Sequence, residues 1–96
     1  MDKTTLESEL VKIVGISKEF GAKKVLLFGS CVEDIESAHD IDIAVSGIKP
    51  KDFFKYYGKV SMSLKDEVDI VDLDDVREHI YKRILSKGKV IYEKSI

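Results

Sequence analysis

The pattern of apolar and polar residues predicts the elements in the first half of the chain. Apolar residues recur at helical spacing over residues 6–20, which predicts a helix buried on one face. Thr4 and Glu7 have the spacing of a capping box at its start. The short apolar run Lys23–Phe28 is typical of a strand covered on both faces. Asp40–Ser46 alternates polar and apolar residues and predicts a strand that carries carboxylates on one face.

Two further stretches show helical features. Ser30 and Glu33 also have capping-box spacing, which predicts a turn or short helix after the first strand. Pro50 is typical of a first helical turn and predicts a helix that extends to about Lys65. We expect its apolar stripe to face the core, because core packing is favoured for the aromatic residues over stacking on a base. That stripe comprises Phe53, Phe54, Tyr57, Val60, Met62 and Leu64.

The last third of the chain again alternates strand and helix. Glu67–Leu73 predicts a strand, Asp74 or Asp75 is placed to cap the helix that follows, and Lys89–Glu93 predicts a final strand. Helices that alternate with four strands predict an α/β (α+β) fold, with the helices packed against a four-stranded sheet. At this length we expect a single domain that spans residues 1–96.

Composition and charge narrow the class of protein. Hydrophobic residues make up 44% and charged residues 35%, as in a globular domain with a strongly charged surface. A net charge of -2 disfavours stable DNA binding, which usually requires a strongly basic face. The lone Cys31 cannot form an internal disulfide, and the chain has no apolar run of membrane-spanning length. Residues 1–9 are polar and acidic, unlike the basic and then apolar pattern of a signal peptide. We therefore expect a cytoplasmic protein without a membrane segment.

Three aspartates in two predicted strands are the candidate chemical site. Asp40 and Asp42 are two residues apart on one strand and so share a face, and Asp69 lies in another apolar strand. Alone, such a pair is more typical of a solvated strand face. If the two strands are neighbours, however, three carboxylates converge and repel one another unless a cation lies among them. Oxygen ligands of this kind suit Mg²⁺, as one ion or a pair.

Gly29 and Ser30 lie where the first predicted strand ends. Glycine allows a phosphate to approach the backbone closely, and the N–H groups that follow can donate to it. An anion site beside a metal site provides what nucleotidyl transfer requires. The metal bridges phosphate oxygens, a carboxylate activates the attacking hydroxyl, and backbone donors hold the leaving pyrophosphate.

Three sequence runs together resemble a known family. They are LLFGS at Leu26–Ser30, DIDIAV at Asp40–Val45 and VDIVDL at Val68–Leu73. They resemble the minimal nucleotidyltransferase family of the polymerase-beta superfamily, and the resemblance covers most of the chain. It implies a polymerase-beta-like palm with a mixed four-stranded sheet, one or two Mg²⁺ ions and ATP as the nucleoside triphosphate substrate.

The resemblance also implies what each site residue does. Gly29 and Ser30 would hold the triphosphate, Asp40 and Asp42 would bind metal, and Asp69 would complete the metal site and deprotonate the acceptor hydroxyl. Small members of the family are commonly encoded with a HEPN-type partner and act as antitoxins, some by transferring AMP from ATP to a partner tyrosine. We therefore expect an adenylyltransferase that modifies a hydroxyl of a HEPN-type partner, in a homo- or hetero-oligomer.

The acidic segment Cys31–Glu36 supports a second hypothesis. Family members usually carry arginines and a glycine here, and each like charge about 4 Å from a phosphate costs on the order of 1 to 4 kcal/mol. Positive charge from Lys23, Lys24, the region Lys49–Lys55 or the partner would have to compensate. Alternatively, the chain is a catalytically weak or inactive nucleotidyltransferase-fold module that neutralises its partner by masking a surface.

Overall fold

Helices and strands alternate along the chain in a computed structural model that describes residues 1–95. The helices are α1 (Lys3–Glu19), α2 (Ser30–Glu33), α3 (Phe53–Ser63) and α4 (Glu78–Lys87). The strands are β1 (Lys24–Phe28), β2 (Asp40–Ser46), β3 (Glu67–Asp72) and β4 (Lys89–Glu93). Ile96, which belongs to the predicted domain, lies outside the described residues. Within residues 1–95, no helix combines the length and apolarity needed to cross a membrane.

The strands form one mixed four-stranded sheet in the order β3-β2-β1-β4. β1 is antiparallel to both of its neighbours, β2 and β4, whereas β2 and β3 are parallel. A parallel pair requires a crossover connection, which α3 provides. The sheet confirms the predicted fold class and the predicted order of elements.

Helices cover both faces of the sheet, but unequally. α1 and α3 pack on one face, where Ile13 and Tyr56 join a large apolar core with Ile43 of β2. α4 lies on the opposite face, where Ile84 packs in a smaller cluster with Ala44. Because this cluster is small, polar groups on the α4 face can reach solvent.

The starts of α1 and α2 differ from the prediction, and both predicted capping boxes were wrong. Asp2 caps α1, since its carboxylate accepts a hydrogen bond of 2.7 Å from the backbone N–H of Thr5. Asp2 and Thr4 are both good cap residues, and the helix begins at the earlier one. Ser30 is already the first residue of α2, and Gly29, with a left-handed φ of 73°, precedes it.

The start of α4 also corrects the prediction. Asp74 does not cap the helix, because its carboxylate accepts a hydrogen bond of 2.8 Å from the backbone N–H of Gly47. This bond ties the end of β3 to the end of β2. The helix begins only after Arg77, which occupies the N-cap position instead of Asp74 or Asp75.

The buried face of α3 differs from the predicted stripe. Phe54 and Met62 are each 90% exposed, whereas Tyr56 is fully buried beside Val60. The Tyr56 hydroxyl shares a hydrogen bond of 2.7 Å with the hydroxyl of Ser17 in α1. The helical period places Tyr56 and Val60 on one face and turns Phe54 and Met62 away from it, so spacing outweighs the hydrophobicity of single residues.

Candidate active site

The parallel pairing of β2 and β3 brings the three predicted aspartates to one face of the sheet. Asp42 and Asp69 are direct register partners, and Asp40 lies two residues before Asp42 on the same side of β2. This is the face that α4 covers only in part, with Ala44 beneath the helix. Asp40 and Asp42 are half-buried and Asp69 is exposed, so the carboxylates form an acidic patch that is open to solvent.

The electrostatics of Asp42 reflect this convergence. Partial burial raises the pKa of the Asp42 carboxyl above its ordinary value, and the negative charges of Asp69 and Asp40 raise it further. Both causes disfavour the ionised carboxylate. A cation at the patch would remove the repulsion and would favour the ionised form of Asp42.

Gly29 joins the acidic patch to the turn that follows β1. Phe28 is the register partner of Asp42, so the next residue in the chain lies beside that carboxylate. A Cβ on Gly29 would collide with Oδ2 of Asp42, and the left-handed φ of 73° also favours glycine. Ser30 then opens α2. The structure thus places Gly29 directly beside Asp42, with Ser30 as the next residue in the chain.

Cys31 fastens α2 to the start of β2. Its thiol is buried and donates a hydrogen bond of 3.3 Å to the backbone carbonyl of Asp40. Burial raises the pKa of the Cys31 thiol, and the charge of Asp42 raises it further. The thiol therefore acts as a small core group that positions the backbone at Asp40.

Tyr57 also contacts this site, although the sequence predicts it only as part of the apolar stripe of α3. Its hydroxyl accepts a hydrogen bond of 3.3 Å from the backbone N–H of Ile70. It lies 3.3 Å from the carbonyl oxygen of Val68 and 3.4 Å from Oδ1 of Asp69, to either of which it can donate. The sequence signal was only an aromatic residue in α3. The contact forms because α3 packs beside β3, which is an edge strand of the sheet.

The lysines predicted to compensate the acidic segment lie elsewhere. Lys24 pairs with Ser46, at the opposite end of the β1–β2 ladder from Phe28 and Asp42, and forms an ion pair of 3.5 Å with Glu93. Lys49 and Lys55 line a separate cavity with Glu19, Phe20 and Lys59 near the end of α1. Lys24, Lys49 and Lys55 are therefore not placed to contact an anion at Gly29.

The three aspartates are a suitable donor set for a divalent cation. Within residues 1–95, their side chains do not form a ready-made three-ligand metal cluster. Carboxylate oxygens are nevertheless the ligands that Mg²⁺ prefers. The pKa of Asp42 is raised by partial burial and by the negative charges of Asp69 and Asp40, and a cation would neutralise those charges. Asp40, Asp42 and Asp69 are the residues that would hold such an ion.

Comparisons with known proteins agree with the fold. The sequence model of a family described as polymerase beta, nucleotidyltransferase matches residues 11–96. No curated protein sequence matches the chain. The family match spans α2, all four strands and every predicted site residue.

Solved structures with the same fold include nucleotidyltransferases and toxin–antitoxin complexes. A chain from a toxin–antitoxin complex with AMP-PNP is 23% identical, with a TM-score of 0.75 over 90% of this chain and 74% of the other. A chain from a Shewanella oneidensis complex of tri-AMPylated HEPN toxin with MNT antitoxin is 22% identical, with a TM-score of 0.72 over 92% and 72%. A structure described as a minimal nucleotidyltransferase is 23% identical, with a TM-score of 0.75 over 92% and 94%.

At these identities the solved structures establish the shared fold, and the family match establishes the relationship by sequence. Both agree with the resemblance carried by the runs at Leu26–Ser30, Asp40–Val45 and Val68–Leu73. With its mixed sheet and its acidic patch beside Gly29, the chain belongs to the polymerase beta nucleotidyltransferase family.

Proposed function

We propose that the protein is a Mg²⁺-dependent nucleotidyltransferase that transfers AMP from ATP to a hydroxyl group of a HEPN-type partner protein. The observation that carries this proposal is the direct register of Asp42 with Asp69, beside Asp40 and against Gly29. Three carboxylates next to a phosphate-accessible glycine provide the groups that metal-assisted phosphoryl transfer requires.

The proposed reaction assigns a separate task to each part of the site. Asp40 and Asp42 would hold one or two Mg²⁺ ions, and Gly29 and Ser30 would hold the triphosphate. Bound Mg²⁺ would supply charge neutralisation at the phosphate oxygens and lower the pKa of the acceptor hydroxyl. Asp69 would take the proton from that hydroxyl while the hydroxyl oxygen forms a bond to the α-phosphorus. The bond to the pyrophosphate oxygen then breaks, and pyrophosphate leaves.

The exposure of Asp69 supports a macromolecular acceptor. The proposed base is exposed at the edge strand β3, where a hydroxyl on another protein can reach it. Two structures with the same fold are of toxin–antitoxin complexes, one with AMP-PNP and one with a tri-AMPylated HEPN toxin. We therefore propose a HEPN-type toxin as the acceptor and an antitoxin function for this chain.

A labelling experiment tests this proposal. The protein is incubated with ATP labelled at the α-phosphate, Mg²⁺ and the purified HEPN-type protein encoded beside it. We expect the partner to acquire the label and Asp42→Asn to reduce labelling at least about 100-fold, because the metal site loses a charged ligand. Asp75→Asn is the matched control, since it removes one exposed carboxylate from the turn after β3. Labelling by Asp42→Asn at the unmodified rate would contradict the proposal.

A second candidate function follows from the acidic segment. Glu33 and Asp34 are exposed at the end of α2, close to the position proposed for the triphosphate. In this alternative, the chain binds its partner and masks a surface without transferring a nucleotide. Calorimetry with ATP and Mg²⁺ would then detect no binding while the partner still co-purifies, whereas Mg²⁺-dependent ATP binding favours the enzyme.

A further inference from the structure

A cavity of about 310 Å³ lies between α4 and the turn that follows β1. Its walls comprise Phe28, Gly29, Glu33, Val71, Ile80, Arg83, Ile84 and Lys87. Gly29 therefore lines this cavity and also lies beside Asp42 of the acidic patch. A ligand that passes Gly29 contacts both the cavity and the patch. The volume is at the small end of the range of about 300 to 1,000 Å³ for small-molecule sites, which suits part of a nucleotide.

Two cationic side chains, those of Arg83 and Lys87, line the cavity. Arg83 and Lys87 are four residues apart on α4 and so lie on the same side of the helix. Among residues 1–95, neither one is within ion-pair distance of a carboxylate, although Glu33 lines the same cavity. By contrast, the adjacent Lys82 forms an ion pair of 3.1 Å with Glu78 on the same helix.

We infer that Arg83 and Lys87 bind the β- and γ-phosphates of the nucleoside triphosphate and replace the positive charge that α2 lacks. This inference rests on the proposed function, because it concerns the same nucleotide. The α-phosphate lies at the aspartates, and the distal phosphates extend past Gly29 into the cavity.

The chemistry of the cavity favours phosphate as the group that the two cations bind. A guanidinium presents paired N–H donors that match two phosphate oxygens, and an ammonium adds a compact positive charge. Phe28 and Val71 form an apolar wall of the same cavity, and an apolar surface beside a charge strengthens its attraction to an unlike charge. The cavity holds two cations against the single carboxylate of Glu33, so its net charge complements a polyphosphate.

Calorimetric titration of the full chain tests this inference. ATP, tripolyphosphate and adenosine are titrated in turn, with Mg²⁺ present, into the unmodified protein, Arg83→Gln and Lys87→Gln. We expect each substitution to weaken the binding of ATP and tripolyphosphate about tenfold or more, because a charge-assisted hydrogen bond is lost. Adenosine binding should not change. Lys82→Gln is the matched control, since it removes the same charge from a neighbouring position on α4 that already has a partner.

Each other outcome overturns the inference in a distinguishable way. If the unmodified protein binds ATP and all three variants bind it equally well, the inference fails while the proposed function stands. Equal weakening by Lys82→Gln and Arg83→Gln would indicate a general charge effect rather than this cavity. A loss of adenosine binding alone would place the nucleoside, not the phosphates, between α4 and β1. If the unmodified protein does not bind ATP, both the inference and the proposed function fail.

Discussion

At the scale of single residues, one hydroxyl group determines how the third aspartate is held. The Tyr57 oxygen accepts from the backbone N–H of Ile70, and its one proton can go to the carbonyl of Val68 or to Asp69. Tyr57 therefore accepts from the backbone that follows Asp69 and donates either to the backbone that precedes it or to the carboxylate itself. The Asp69 side chain is exposed, so the protein around it restricts it little. The contact with the Tyr57 hydroxyl therefore limits the orientations that it can adopt.

We predict that Tyr57→Phe slows AMP transfer more than it lowers stability. Loss of the hydroxyl should reduce kcat about tenfold, because a positioned base reacts faster than a mobile one. The KM for ATP should change little. The free energy of unfolding should fall by only about 1 kcal/mol, because the accepted and the donated hydrogen bond of the hydroxyl are both long, at 3.3 to 3.4 Å. Transfer kinetics and denaturant unfolding measure the two effects.

The Mg²⁺ dependence of AMP transfer distinguishes a loss of Asp69 positioning from a general loss of structure in Tyr57→Phe. If Tyr57 orients Asp69, Tyr57→Phe should require more Mg²⁺ for half-maximal transfer, since Asp69 is also a proposed metal ligand. Tyr81→Phe, at an exposed position of α4, is the matched control and should leave both measurements unchanged. An unaltered rate and Mg²⁺ requirement in Tyr57→Phe would rule out a positioning effect.

At the scale of elements, a buried carboxylate links α1 to the segment that leads into β3. The Glu9 side chain is 3% exposed and accepts a hydrogen bond of 2.8 Å from the backbone N–H of Lys65. It accepts a longer one from Asp66 and forms an ion pair of 3.1 Å with Lys12. Since β3 begins immediately afterwards, at Glu67, this link helps to set the position of the strand that carries Asp69.

Glu9 gives the fold a predictable pH dependence. Burial opposes its ionisation, but the hydrogen bonds from Lys12, Lys65 and Asp66 outweigh burial and hold the pKa of Glu9 below its ordinary value of 4.5. A depressed carboxyl pKa contributes stability above pH 4.5, and that stability is lost as the pH falls through the pKa of the folded state. Denaturant unfolding should therefore show stability decreasing below about pH 4.5.

Glu9→Gln tests whether Glu9 is the group responsible for the loss of stability at low pH. At pH 7 it should lower the free energy of unfolding by about 1.5 to 3 kcal/mol, because charged hydrogen bonds are replaced by weaker ones. It should also flatten the acid limb of the stability curve. The exposed Glu7→Gln, on the same helix, is the matched control. An acid limb that is equally steep in both variants would show that another group is responsible.

The strands were predictable from the sequence because their signals are local. The alternation in Asp40–Ser46 directly encodes which side chains share a face, and the bounds of that strand are confirmed. The caps were less predictable, since Asp2 and Thr4 offer the same chemistry one half-turn apart. The contact of Tyr57 with β3 and the position of Arg83 and Lys87 beside the cavity could not be predicted, because both depend on how helices pack on the sheet. That packing involves residues distant in the sequence.

At the scale of the whole molecule, the acidic patch opposes stability near neutral pH, because it holds like charges close together. The raised pKa of Asp42 means that the folded state resists its ionisation, so its contribution to stability is present at low pH and is lost as the pH rises above the ordinary value of 3.8. Near neutral pH, the three carboxylates therefore repel one another within an otherwise well-packed domain.

We predict that Mg²⁺ and AMP-PNP together stabilise the whole domain. A ligand that binds only the folded state at 100 times its Kd adds about 2.7 kcal/mol to the free energy of unfolding. Asp42→Asn should be at least as stable as the unmodified protein without ligand, because it removes one of three repelling charges, but should gain little when ligand is added. Thermal unfolding with and without EDTA measures both. Equal ligand-induced stabilisation of the two proteins would exclude Asp42 from the binding site.

The hydroxyl of Tyr57 has a further consequence for how other proteins can approach. β3 is an edge strand, and an edge normally offers unpaired backbone groups to which a foreign strand can add. Here the backbone N–H of Ile70 donates to the Tyr57 hydroxyl, which can in turn donate to the carbonyl of Val68. A strand that adds beside the acidic patch would therefore have to displace the Tyr57 hydroxyl. A protein that presents a hydroxyl to Asp69 without displacing Tyr57 would approach from the face of the sheet, with a loop or a helix end rather than a strand.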